Sequence, residues 1–217
     1  MASILESIIG MLGQQNLGQI SKQVQAPEDK TQKAITDISA LLTGALANNA
    51  SQQQGAQALA NALDKDHDGS ILDDLPNYIN NYQQGPGDGI LGHVLGGNRN
   101  AVEKSLSQKS GLDIGTISKL FTIAAPIILG ALGKKQKQDG LDLSGLTSLL
   151  GNEQNQAQRM DPDALNILNQ VLSSSGGTQS PQTQTTSSRK RSPIITIIIV
   201  IVIAIVVYFL LRACGIL

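Results

Sequence analysis

Apolar residues recur along the first 172 positions of the chain at the three- and four-residue spacing of helices, without the sustained alternation of strands. Residues 4–12 place Ile4, Leu5, Ile8, Ile9 and Leu12 on one face. A longer helix is predicted over 28–49. Pro27 precedes the acids Glu28 and Asp29, which favour a helix N-terminus, and Ile35, Ile38, Leu41, Leu42 and Leu46 form a stripe. Residues 52–63 follow with Ala56, Leu59, Ala60 and Leu63. The same scheme returns at 90–95, 101–109, 114–132 and 143–150. A further helix within 151–172 starts at Asp161 as cap, with Pro162 at the first helical position. The expectation is an all-α, multihelical domain over 1–150 with an additional helix at 151–172.

The last apolar run is of another kind. From Ile194 to Leu211 the chain reads IITIIIVIVIAIVVYFLL, relieved only by Thr196 and Tyr208. As a helix it would be about 27 Å long, close to the roughly 30 Å hydrocarbon core of a bilayer. It is too long for a strand and too apolar on all sides for a domain of this size to cover. The segment 193–212 therefore reads as one transmembrane helix, with 213–217 as a short tail. Arg189, Lys190 and Arg191 precede the span, and Arg212 alone follows it within the tail region. Basic flanks stay on the cytoplasmic side, which puts the helical domain in the cytoplasm and makes the chain a single-pass, tail-anchored protein. Residues 173–192, rich in Ser, Thr, Gln, Gly and Pro, lack apolar periodicity and read as a flexible linker. The run from Leu120 to Leu132 is shorter than a span and reads as a buried core helix. Cys214-Gly215-Ile216-Leu217 matches a prenylation box only superficially, because a cysteine just past the span would lie opposite the cytosolic enzymes.

A shift of 86 positions superimposes two stretches without a gap. Ile4-Leu5 falls on Ile90-Leu91, Ile20-Ser21 on Leu106-Ser107, Lys33 on Lys119, and Gly44-Ala45-Leu46 on Gly130-Ala131-Leu132. Two readings account for this: an ancient duplication with units at 4–63 and 90–150, or helical periodicities that coincide.

Composition narrows the core chemistry. Aromatic residues make up only 2% and Trp is absent, so Leu, Ile, Val and Ala must fill the interior. Such a core suits helices better than sheets. The formal net charge of −1 gives no overall attraction to nucleic acid or anionic lipid. Cys214 is the only cysteine, which excludes an intramolecular disulfide. The N-terminus lacks the basic region of a secretory signal. No Ser/His/Asp set, zinc spacing or phosphate loop is present, and a non-enzymatic protein is expected.

The most specific polar feature is the loop Asp64-Lys65-Asp66-His67-Asp68-Gly69-Ser70-Ile71-Leu72-Asp73-Asp74-Leu75. Carboxylates at alternate positions converge when such a loop curls, Gly69 permits the sharp turn, and Ser70 offers a carbonyl. This is the first half of an EF-hand-type calcium loop. At its twelfth position Leu75 replaces the bidentate Glu, leaving Asp73 or Asp74 to substitute. The candidate calcium ligands are thus Asp64, Asp66, Asp68, Ser70, Asp73 and Asp74. The other reading makes Ser70 the cap of the next helix, with Asp73 completing a capping box and the remaining acids and His67 in solvent. His93 reads as a structural or surface residue. Lys134, Lys135 and Lys137 read as a solvated helix end that complements the dipole. Leu106–Phe121 has the cadence of a helix-turn-helix with Gly111 at the turn. Its second helix offers few of the basic and amide side chains that a DNA reader needs.

The phrases LDKDHDGSILDDL, DGILGHVLGG and LFTIAAPIILGALG resemble the YidB-like bacterial family (domain of unknown function 937) over roughly residues 1–150. The resemblance implies a multihelical fold in a bacterial protein, hence an inner-membrane location for the anchor, and carries no assigned activity. A C-terminal anchor is not a general feature of that family. The resulting expectation is a membrane-tethered helical interaction or scaffold module with a protein partner or a copy of itself, with possible calcium binding. The alternative is a membrane-held, DNA-associated protein.

Overall fold

Two helices are buried on every side over their central turns, which requires that others surround them. These are α3 (Glu28–Ala50) and α8 (Ile114–Asp139), the axis of the fold. In the computed structural model, which describes residues 3–175, every residue from Asp37 to Ala47 and from Leu120 to Gly133 is buried. Around them lie α1 (Ile4–Gly10), α2 (Leu17–Val24), α4 (Gln53–Lys65), α5 (Leu75–Asn80), α6 (Gly87–Val94), α7 (Arg99–Ser110), α9 (Leu143–Met160) and α10 (Pro162–Ser175). No strand occurs among the described residues. The span placed at 193–212, the tail at 213–217 and the linker beyond Ser175 lie outside the described residues.

The helix α8 is long and apolar enough to cross a membrane by length and composition, yet 78% of its most apolar stretch is buried inside the fold. Its centre packs against α6, α3, α7 and α4. Pro126 removes the N–H that would bond the Thr122 carbonyl one turn back. The Tyr78 hydroxyl donates to that carbonyl instead, at 3.1 Å. Gly87 leaves the room for this: a Cβ there would run into the Thr122 carbonyl oxygen.

Helix ends follow local chemistry. Asp113 opens α8 and Asp142 opens α9 by accepting the backbone N–H of Thr116 and Gly145. Gly111 and Gly140 close α7 and α8 in the left-handed conformation. The N-terminus of α1 satisfies its first donors from two sources. Ser3 and Glu6 form a capping box, and Glu153 of α9 accepts from Ile4 N at 3.0 Å and Leu5 N at 2.9 Å.

The structure departs from the periodicity in several places. The helix expected at 4–12 breaks at Gly10 into a π-helical turn, Met11–Gln15. Helices α2 and α5 are additional. Helix α9 continues past 150 to Met160, because Glu153 and Ala157 carry its buried face beyond the last leucine. Helix α10 extends to Ser175. A shift of 86 carries the first residue of α3 onto the first of α8, and Gly44 onto Gly130. Each glycine admits an aliphatic side chain from a neighbouring element, Leu165 at Gly44 and Ile71 at Gly130.

Candidate functional site

The acidic loop is built by glycine rather than by charge. Helix α4 ends where Asp66 N and His67 N both donate to the Ala62 carbonyl, at 2.9 and 3.1 Å. The chain then lies against α8. The His67 carbonyl meets Gly133 where a Cβ would overlap it, and Gly69, at φ +97°, sits 3.2 Å from the Gly130 carbonyl, measured from where its own Cβ would stand. Only residues without a Cβ allow two backbones this close. A 3₁₀ turn, Ser70–Asp74, leads on to α5.

The six candidate ligands go to different places. Asp64 accepts from Gln136 Nε2 at 3.4 Å. Asp68 accepts the Ser70 N–H at 3.0 Å, and its other oxygen lies 3.5 Å from Lys137 Nζ. These bonds hold the Asp68 carboxyl below its usual range. Asp74 caps α5 by accepting Asn77 N at 3.2 Å. Asp66 and Asp73 are exposed. Among the described residues no three His, Cys, Asp or Glu side chains converge into a metal-binding group. The capping role falls to Asp74 at α5, rather than to Ser70 with Asp73, because Ser70 lies inside the 3₁₀ turn.

The loop does deliver His67 to an open groove of about 690 Å³ beside the bundle axis. Its floor is aliphatic, from Leu46 of α3, Leu59 of α4, Ile90 of α6 and Leu129 of α8. Its rim is polar and uncharged: Asn48 and Asn49 at the end of α3, Gln52 and Gln54 at the start of α4, and the imidazoles of His67 and His93. The chain has two histidines, and both line this groove. His93 is exposed, the surface one of its two readings, whereas His67 is half-buried rather than in solvent. Burial holds its imidazole below the usual pKa against the opposing pull of Asp66. Asn49 donates to the Val94 carbonyl at 3.0 Å, joining the end of α3 to the end of α6 and closing one side. At the α3–α4 corner a Cβ on Gly55 would collide with the Asn49 carbonyl, so the turn is tight enough to bring both amide pairs to one rim. Among the described residues no Lys, Arg, Asp or Glu lines the groove, and neither does Phe, Tyr or Trp. Sequence reasoning missed it because its walls come from four helices distant in the chain.

The helix-turn-helix-like segment is a connection between core elements. Gly111 ends α7, Ser107 Oγ donates to the Leu112 carbonyl at 2.7 Å, and the helix that follows is the buried α8.

These features define an all-α bundle around two buried helices, with an apolar, amide-rimmed groove on its flank. The chain belongs to the family described as "Bacterial protein of unknown function (DUF937)", whose pattern matches residues 6–135, more than half of the 217 residues. No curated protein and no solved structure matches it.

Proposed function

We propose that this protein is a membrane-tethered, non-enzymatic interaction module whose groove takes an uncharged, aliphatic helical segment of a partner protein. The groove's chemistry carries the reading. Its volume, about 690 Å³, lies in the range of binding clefts, and its floor offers apolar burial. A charged side chain entering this lining would lose its hydration without meeting an opposite charge, so the groove selects against charged partners. Among the described residues no Phe, Tyr or Trp lines it, so a flat ring finds no large stacking surface beyond the two rim imidazoles. An aliphatic helix leaves no unsatisfied backbone groups, and the rim amides can bond its polar flank. Tethering is supported by the Ile194–Leu211 run and its basic flank, Arg189–Arg191. The DNA-associated alternative is less favoured, because its recognition helix would be the buried α8.

The two histidines make the test direct, since the imidazole region of a proton spectrum holds two residues. A neutral Leu/Ala helical peptide added to the full chain in mild detergent shifts both signals saturably. The same peptide with Lys at its anchor positions does not. If neither peptide moves the His67 and His93 signals, or both move them alike, the groove is not the binding site.

One observation favours calcium binding as a second reading. Gln136 is 8% exposed, its Oε1 has no hydrogen-bond donor, and its amide lies against Asp64. A hard cation at the loop would draw on Asp64, Asp66, Asp68 and this carbonyl. The loop would have to rearrange, with Lys137 releasing Asp68. Calorimetry decides: heat at millimolar calcium that is lost in Gln136→Leu supports the reading, and no heat removes it.

A further inference from the structure

The helix α10 lies past the family-matched segment 6–135 and packs on α3, α7 and α9. Leu165, Leu168 and Val171 are buried there, and Leu165 enters the space left open by Gly44. A charged cluster at its N-terminus ties it to α3 and α7. Lys109 Nζ of α7 lies 3.0 Å from Asp37 Oδ1 of α3, and 2.9 and 3.2 Å from the two carboxylate oxygens of Asp161. Asp161 also accepts the Ala164 N–H at 3.0 Å, capping α10. Asp37 and Asp161 are only 7% and 8% exposed.

We propose that the Asp37–Lys109–Asp161 cluster is a proton-operated latch that holds α10 on the bundle when Asp37 is protonated and loosens it when Asp37 ionises. The argument is one of charge balance. Two buried carboxylates share one ammonium, so with both ionised one negative charge is left uncompensated. Among the described residues no second cation is bonded there. Lys30 of α3 donates to the Gly111 carbonyl, Arg159 of α9 is bonded to Gln156, and Lys33, one turn before Asp37, is exposed. Asp163, within the first turn of α10, is exposed too. Among the described residues Lys109 supplies the cluster's only positive charge, and it keeps its proton.

The added proton belongs on Asp37. Asp161 has both oxygens on Lys109 and a backbone N–H besides, and these bonds, with that to Asp37, hold its carboxyl below the usual range despite burial. Burial and the neighbouring Asp161 push the Asp37 carboxyl up to about 7. A carboxyl raised in the docked state lends stability fully below its ordinary value near 3.8 and loses it as pH rises through about 7. The latch is therefore shut on the acidic side of neutrality. Above it, the excess charge is relieved by moving the Asp161 cap away. The element that can move is α10, since α3 is enclosed in the bundle.

Hydrogen exchange on the full chain tests this. After correction for intrinsic exchange, protection of the 163–175 amides falls about tenfold between pH 6 and 8, while the α8 core changes less; each unit of pKa displacement is worth about tenfold. Asp37→Asn, which stays neutral and keeps a hydrogen-bonding oxygen, removes the pH dependence. Protection of α10 that is flat with pH in the unmodified chain overturns the proposal, as does an equal pH dependence in Asp37→Asn. Should that variant fold poorly, carbon-13 titration of the Asp37 carboxyl in the unmodified chain decides. A midpoint between 6 and 8 supports the latch, and one below 5 overturns it.

Discussion

Replacing Gly133 by alanine tests how the acidic loop reaches the groove. The new Cβ would overlap the His67 carbonyl oxygen, with the His67 carbonyl carbon at 3.0 Å and the Leu63 carbonyl oxygen at 3.4 Å. All three neighbours are backbone, so no side chain can swing aside. Overpacking of this kind costs about 1–3 kcal/mol. Against it stands the helix-propensity gain of alanine over glycine, about 1 kcal/mol. Gly92→Ala, on α6, isolates that second effect, because nothing lies within 4 Å of its Cβ. Propensity cancels between the two variants, and Gly133→Ala should come out about 1–3 kcal/mol less stable than Gly92→Ala. Urea unfolding followed by far-UV circular dichroism measures the difference on the full chain in mild detergent. The His67 imidazole resonance should move in Gly133→Ala and stay in Gly92→Ala, since Gly133 holds the segment that carries it. Equal stability of the two variants, with His67 unmoved, would refute the claim that close backbone packing on α8 positions the loop.

Three further outcomes are expected. Tyr78→Phe removes the donor to the Thr122 carbonyl that Pro126 leaves unpaired, and should cost about 1–2 kcal/mol in the same unfolding assay; a neutral result would mean that water serves that carbonyl equally well. Glu153→Ala strips the acceptor from Ile4 N and Leu5 N and should cost about 2 kcal/mol, with Glu153→Gln losing less and exchange rising first in α1. The His67 imidazole should titrate below its ordinary value of 6.5, so the folded groove favours its neutral form. That preference adds stability above pH 6.5 and is lost as pH falls through the lowered value. A midpoint at or above 6.5 would put the ring in water.

Much of the helical order was legible before any coordinates. Pro27 with Glu28 and Asp29 marks the start of α3, and Asp161 with Pro162 marks that of α10. Helices α2 and α5, of eight and six residues, carry only a few apolar positions each, too few for a stripe to stand out. The second half of α9 escaped because NEQNQAQRM carries no apolar stripe. Its burial rests on Ala157 and on Glu153, a charged residue kept inside by two backbone donors from α1.

The sequence by itself determined most of the longer helices, the aliphatic core, the reading of 114–132 as interior and the apolar run at 194–211, because these depend on residue type at short spacing. Only the tertiary structure decided where the polar groups go. Asp68 turned to Ser70 N and Lys137, Asp74 became a cap, and His67 was carried to a groove shared with His93 and the amides of α3 and α4. Asp37, unremarkable on its helix, met Lys109 and Asp161 across two interfaces. Periodicity shows which face of a helix is buried. It does not show which distant residue will stand opposite, because that depends on how the glycines of α3 and α8 let neighbouring segments approach.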